Sequence, residues 1–244
     1  MTLLQLKKLV AAYFETTPAA FVNPDTGVDA LLQSINTSRM AAEQQHDFNY
    51  SKVTASLTFT APASGQDIAD ASIPGGGTIK RVRNALVPIH NGDYLPVEFM
   101  LQDEWIKRQR RLVGRQSYDP SKTLTQYGFA VPNPVAYLEG SLLRVYPTLN
   151  SGDVVKMGIV KFYPDYTSDT DEDFFLQQGQ QYLQWATILE VNKIARRFAP
   201  RQEGNIAEDA LEDFTSKALA AFVQWDMGIT ENTSTPLTPQ PSKK

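Results

Sequence analysis

The sequence predicts an α+β fold: a helical bundle, with N-terminal helices plus a long C-terminal antiparallel helix pair, around an antiparallel β-sheet or barrel-like middle region, followed by a disordered C-terminal tail. Three patterns carry this. Apolar residues recur at helical spacing before residue 50 and again after residue 173. The stretch between holds short apolar runs, some alternating with period two, cut by turn residues. Beyond Met227 the chain holds Thr, Ser, three prolines and two terminal lysines among few apolar residues, and no core can form there. The predicted organisation is N-terminal helices over 1–50, a mainly β region with long loops over 51–165, a helical hairpin over 166–227 packed with 1–50 as one helical domain, and a flexible tail over 228–244.

Each element has its own signal. Leu3, Leu4, Leu6, Val10, Tyr13 and Phe14 suggest a short amphipathic helix with Thr2 as its N-cap. Val28, Leu31, Leu32, Ile35 and Arg39 share one face of a second helix, expected from about Asp25 to Gln45. Val53, Ala55, Leu57 and Phe59 alternate with polar residues as in a half-buried strand. Residues 61–77 read as a long loop, and 79–87 as a strand with mixed faces. A short basic helix is expected over 102–112. Residues 136–138, 142–146 and 154–163 read as a three-stranded antiparallel meander. A helix of about 25 residues ending at Phe198 is apolar nearly all round. In the last helix, Ala207–Met227, the stripe is Ala207, Leu211, Phe214, Ala218, Phe222 and Trp225.

Composition narrows function. Of 244 residues, 42% are apolar and 20% charged, ordinary for a folded chain. A net charge of −4 argues against a freely diffusing nucleic-acid binder but permits a local basic stripe. With no cysteine, disulfides, thiolate metal sites and cysteine nucleophiles are excluded together. Lys7 and Lys8 interrupt the apolar pattern of the first helix, so no signal peptide is expected there. No run reaches the roughly 18 apolar residues of a membrane span.

No catalytic constellation emerges. The two histidines, His46 and His90, have no metal-binding spacing, so no metal and no cofactor are expected. Glu98, Glu139 and Asp153 offer carboxylates for a glycan-cleaving pair, with nothing in the sequence to set their separation. The acidic run at Asp165–Asp173 lacks the glycine and terminal glutamate of a calcium loop. Its Asp169, Asp171 and Asp173, with Trp185, Ile188 and Val191, are candidates for subunit contacts. Lys107, Arg108, Arg110, Arg111 and Arg115 form the strongest charge feature: a solvated face, a surface for an acidic partner, or a contact to DNA phosphates. The chain is expected not to be an enzyme.

Seven short motifs, in order, resemble the head-to-tail adaptor (connector) proteins of tailed bacteriophages. They are Ile35-Asn36, Phe48-Asn49-Tyr50, Leu95-Pro96-Val97-Glu98-Phe99, Pro134 with Tyr137, Val145-Tyr146-Pro147, Phe162-Tyr163, and the two C-terminal helices. The resemblance spans about residues 28–226. Departures are Asn133, where a glycine often precedes the proline, the long 61–77 segment, and the acidic linker. The resemblance implies a structural virion protein, made in the host cytoplasm and placed in the neck at the head–tail interface. It implies a ring of about twelve copies, closed by cyclic symmetry, with double-stranded DNA passing through its lumen without sequence specificity. Its partners would be the portal on one side and tail, stopper or nozzle proteins on the other, with no membrane. By the same analogy Pro236, Leu237, Pro239 and Pro241 belong to a tail that orders against the portal. A neck stopper or tail-terminator protein is the alternative, and a glycan-acting enzyme a remote one.

Overall fold

The computed structural model describes residues 1–60, 65–89, 92–104, 106–107, 134–198 and 208–233, without the side chains of 195–198 and 229–233. The chain divides into two compact units, Met1–Tyr50 with Asp165–Lys244, and Ser51–Pro164. The first is helical and the second is β-rich, and each is described by itself.

Helix α1 (Leu3–Tyr13) starts in a capping box: Thr2 Oγ1 accepts from the Gln5 amide and Gln5 Oε1 from the Thr2 amide. Helix α2 spans Ala30–Gln45. Its expected start near Asp25 moves forward because Asn23 Oδ1 accepts from the amides of Asp25 and Thr26 and folds that stretch into a turn. Asp29 then caps the helix through the Leu32 amide at 3.0 Å. Leu31, Ile35, Arg39 and Ala42 are buried, whereas Val28 lies outside the helix and is exposed.

The expected single helix ending at Phe198 is two helices, α3 (Phe174–Gln178) and α4 (Gln180–Phe198), broken at Gly179. The glycine at the break has a packing reason. A Cβ on Gly179 would sit 2.8 Å from the Phe222 ring and 3.0 Å from the Phe175 carbonyl oxygen. Gly179→Ala is therefore expected to destabilise the helical unit by about 1–3 kcal/mol through overpacking, read from urea unfolding. An unchanged midpoint would show that the ring moves aside freely.

Helix α5 runs Glu208–Thr233, so residues 228–233, expected in the tail, are helical. Its buried stripe is narrower than the sequence suggests. Leu211, Ala218, Phe222 and Asp226 face inward, while Phe214 and Trp225 are 41% and 37% exposed on its flanks. Residues 234–244 lie outside the described residues.

The β unit holds two four-stranded sheets and, among the described residues, no closed barrel. The first sheet has the order β1–β8–β3–β4, from β1 (Lys52–Thr58), β8 (Val154–Phe162), β3 (Thr78–Pro88) and β4 (Tyr94–Pro96). The second has the order β2–β7–β6–β5, from β2 (Gln66–Asp67), β7 (Leu142–Tyr146), β6 (Val135–Glu139) and β5 (Glu98–Phe99). Pairing is antiparallel except between β5 and β6. Ala55, Leu57, Phe59, Ala85, Val87, Val155 and Met157 from the first sheet share a core with Ala136, Leu143 and Val145 from the second.

The three-stranded meander expected from the sequence does not form. Strands β6 and β7 form a hairpin through Gly140, but β8 leaves for the other sheet and pairs between β1 and β3. Its sequence fits that place: Val155, Met157 and Ile159 are buried on one face and Val160 on the other, as suits a central strand. The expected 61–77 loop is also partly ordered. Strand β2 and a 3₁₀ turn (Ile68–Asp70) lie within it, and Ile68, Ala71 and Ile73 pack on the core. Gly77, at φ +96°, opens β3 where any Cβ would collide with the Phe162 carbonyl. Of the expected basic helix, residues 102–104 and 106–107 are helical and the remainder lies outside the described residues.

Candidate functional site

In the helical unit, polar side chains on the N-terminal helices converge on the acidic segment Asp165–Asp173. Lys7, buried on α1, pairs with Asp29 at 2.8 Å and Asp169 at 2.7 Å. The Leu3 and Leu4 amides, left over at the start of α1, donate to the carbonyls of Asp171 and Asp169. Asn36 grips Tyr166 in both directions: its Oδ1 accepts from the Tyr166 amide at 2.9 Å, and its Nδ2 donates to the Tyr166 carbonyl at 3.2 Å. Arg39 reaches Asp165 at 2.9 Å and Glu43 at 3.7 Å, with its guanidinium 4.9 Å from the Tyr166 ring centre. Tyr166 in turn donates to Asp173, whose carboxylate caps α3 through the Leu176 amide.

The acidic run is thus a strap with assigned internal partners. Asp171 accepts from the amides of Thr167 and Ser168, and those bonds hold its carboxyl below the usual range. Burial pushes Asp173 upward against its hydrogen bonds. Burial also pushes the Tyr166 phenol up, reinforced by the neighbouring Asp173 charge. Tyr182, whose hydroxyl donates to the Ser38 carbonyl, is pushed up to about 12 by burial. For Lys7, burial disfavours the ammonium, but the bonds to Asp169 and Asp29 outweigh it and the net shift is upward.

These shifts set an alkaline limit. Lys7, Tyr166 and Tyr182 each have a folded value above the ordinary one. Their stabilisation is full below the unfolded values, near pH 10, and is lost as pH rises through the folded ones. Helical circular dichroism during urea unfolding should give a stability that is flat to about pH 9.5 and falls toward about pH 12. Tyr166→Phe should make the fall shallower; an identical slope would remove Tyr166 from the account.

A second convergence lies where α2 ends. Phe48 is fully buried among the rings of Phe174, Phe175 and Phe222, at centroid distances of 5.5, 5.1 and 4.7 Å. Tyr50 stacks on Phe174 at 4.6 Å and lies parallel to Trp225 at 6.3 Å. Between them, Asn49 is fastened to α5. Its amide donates to both Asp226 carboxylate oxygens at 3.0 and 3.1 Å, and its Nδ2 donates to the Asp226 carbonyl at 2.7 Å. His46 Nε2 lies 3.1 Å from the same carboxylate, which is only 1% exposed.

No protein-family model and no curated protein matches this chain.

Asp169, Asp171 and Asp173 belong to the strap. Ile188 and Val191 are buried within the helical unit, and half-buried Trp185 packs on Tyr13 and Phe214. Lys107 is exposed; Arg108, Arg110, Arg111, Arg115, Pro236, Leu237, Pro239 and Pro241 lie outside the described residues, as does His90. Glu139 pairs with Arg144 at 2.9 Å, and Asp153 accepts from the Asn150 amide at 2.8 Å. Glu98 is exposed on β5. No group of three or more His, Asp or Glu that could hold a metal occurs among the described residues, and no described helix is long and apolar enough to cross a membrane.

Lys7 and Asp226, and the partners of Arg39 and Asn36, escaped sequence reasoning. A signal existed. Lys7 follows Leu6, Arg39 sits in the apolar stripe of α2, and Asp226 lies one turn after Phe222. A charge on an apolar stripe has to find a partner from elsewhere in the fold.

Proposed function

We propose that the chain is a structural connector of a tailed-phage virion, a head-to-tail adaptor that assembles as a ring of about twelve copies between portal and tail around a DNA-conducting lumen. One observation supports this reading above the others. The residues that carry the N-terminal part of the resemblance, Ile35-Asn36 and Phe48-Asn49-Tyr50, are among those that fasten the two ends of the chain into one helical unit, through Tyr166 and Asp226. They do architectural work, as a scaffold protein requires. The C-terminal residues 234–244 follow α5 directly and are proposed to order on the portal.

The decisive experiment mixes the protein with its cognate portal ring and images the product by negative-stain microscopy. Twelve-fold rings stacked on the portal are expected. Six-fold rings, or no docking, would replace the adaptor with a neck stopper or tail terminator. Deleting residues 234–244 should abolish docking while the helical circular dichroism stays intact.

A further inference from the structure

The first sheet carries charge of one sign. Strands β1, β3, β4 and β8 contain Lys52, Lys80, Arg81, Arg83, Lys156 and Lys161 and no Asp or Glu. Lys161 serves the fold: it is buried and donates to the carbonyls of Pro74 and Gly76 at 2.7 and 3.1 Å. On the side away from the core, cross-strand rows read Ser56–Lys156–Leu86–Pro96, then Thr54–Gly158–Asn84, then Lys52–Val160–Arg81. The irregularity between Val82 and Asn84 leaves Arg83 exposed as well. Arg81, Arg83 and Lys156 are exposed alongside the hydroxyls of Thr54, Ser56 and Thr58. The Lys156 ammonium lies 4.1 Å from the Tyr94 ring centre, which orients it without neutralising it.

The chain also contains the complement of this face. The helical unit has 18 acidic and 10 basic residues, a net −8, while the β unit has 9 and 13, a net +4, together giving the chain's −4. Exposed acids include Asp209, Glu212 and Asp213 on α5, of which Glu212 lies 3.5 Å from Lys193 and Asp213 2.6 Å from Lys217, pairs that water screens and a partner can exchange.

We propose that the outer face of the first sheet docks on the acidic helical unit of a second copy of this chain. The contact joins two different patches, so it is head-to-tail and propagates from copy to copy until it closes. A nucleic acid would be drawn to the same lysines and arginines, but the chain as a whole is negative and would repel a polyanion. Contact between copies reduces the charge of both patches instead. The proposal depends on the charges of this chain and stands apart from portal docking.

Sedimentation velocity of the full chain tests it, with two charge-reversed variants. One carries Arg81→Glu, Arg83→Glu and Lys156→Glu, and the other Asp209→Lys, Glu212→Lys and Asp213→Lys. The wild type should associate at about 50 mM salt and dissociate by about 500 mM. Each variant alone should bind itself at least about tenfold more weakly, with unchanged circular dichroism. An equimolar mixture should associate again, because the reversed sheet of one copy then meets the reversed helix of the other. A wild type that stays monomeric at low salt overturns the proposal, as does a mixture that fails to recover. Loss of binding to a labelled DNA duplex in the sheet variant, with sedimentation unchanged, assigns the face to nucleic acid. A variant that no longer self-associates but still docks on the portal separates this contact from the adaptor reading.

Discussion

Arg39→Met should destabilise the helical unit by about 3–5 kcal/mol, the usual cost of removing one partner from a buried ion pair. Arg39 and Glu43 are each 1% exposed and lie one helical turn apart on α2. Taking the guanidinium away removes a positive charge that lies beside the buried Glu43 carboxylate. The other partner behaves differently. Asp165 is 60% exposed, so water can replace the arginine there, and Asp165→Asn should cost only about 0–1 kcal/mol. The double variant Arg39→Met, Glu43→Leu should recover most of the loss, because neither charge then has to be buried. Urea unfolding followed at 222 nm measures all three. A loss under about 1 kcal/mol for the single variant would mean that the interior is wetter around Glu43 than its burial implies.

Phe48→Ala should cost about 3–5 kcal/mol through the cavity it leaves. Phe48 has no exposed surface and touches rings from α3 and α5 that are far away in sequence. Its loss would also release Phe222, which occupies the space above Gly179. Phe48→Leu keeps much of the volume and should cost roughly 1 kcal/mol. Near-ultraviolet circular dichroism should lose much of its aromatic signal in the alanine variant and little in the leucine one. Equal losses in both would mean that ring geometry matters more than volume.

How far these features could be read from the sequence depended on the range of the force that shapes them. The helices of the helical unit and the alternation of β1 follow from local periodicity, and both were legible. The need for glycine at position 179 was not, because it comes from the ring of Phe222, 43 residues away. Strand β8 looked like the third member of a meander because short turns favour sequence neighbours. Its two-sided burial between β1 and β3 depends on strands some 75 and 100 residues upstream. Asn36 and Phe48-Asn49-Tyr50 could be recognised as a pattern through a resemblance, but their partners, Tyr166 and Asp226, lie 130 and 177 residues further on. The basic residues of β3 were visible as a mixed face. That they share the sheet with no acid became clear only when the strand order put Lys52 and Lys156 beside them.

The pairing of Lys52 with Val160 has a consequence for how the chain finds its fold. The β unit leaves the helical unit at residue 51 and returns at residue 164, an excursion of about 110 residues. Closing an open loop of that length before any strand has paired would cost about 3 kcal/mol more in chain entropy than closing one of a few residues. Once β1 and β8 lie side by side, entry and exit are strand neighbours, and the distant halves of the helical unit meet as if separated by a hairpin. Pairing of β1 with β8 thus lowers the entropy cost of the clasp between Asn36 and Tyr166, and the clasp lowers the cost of that pairing in the same measure.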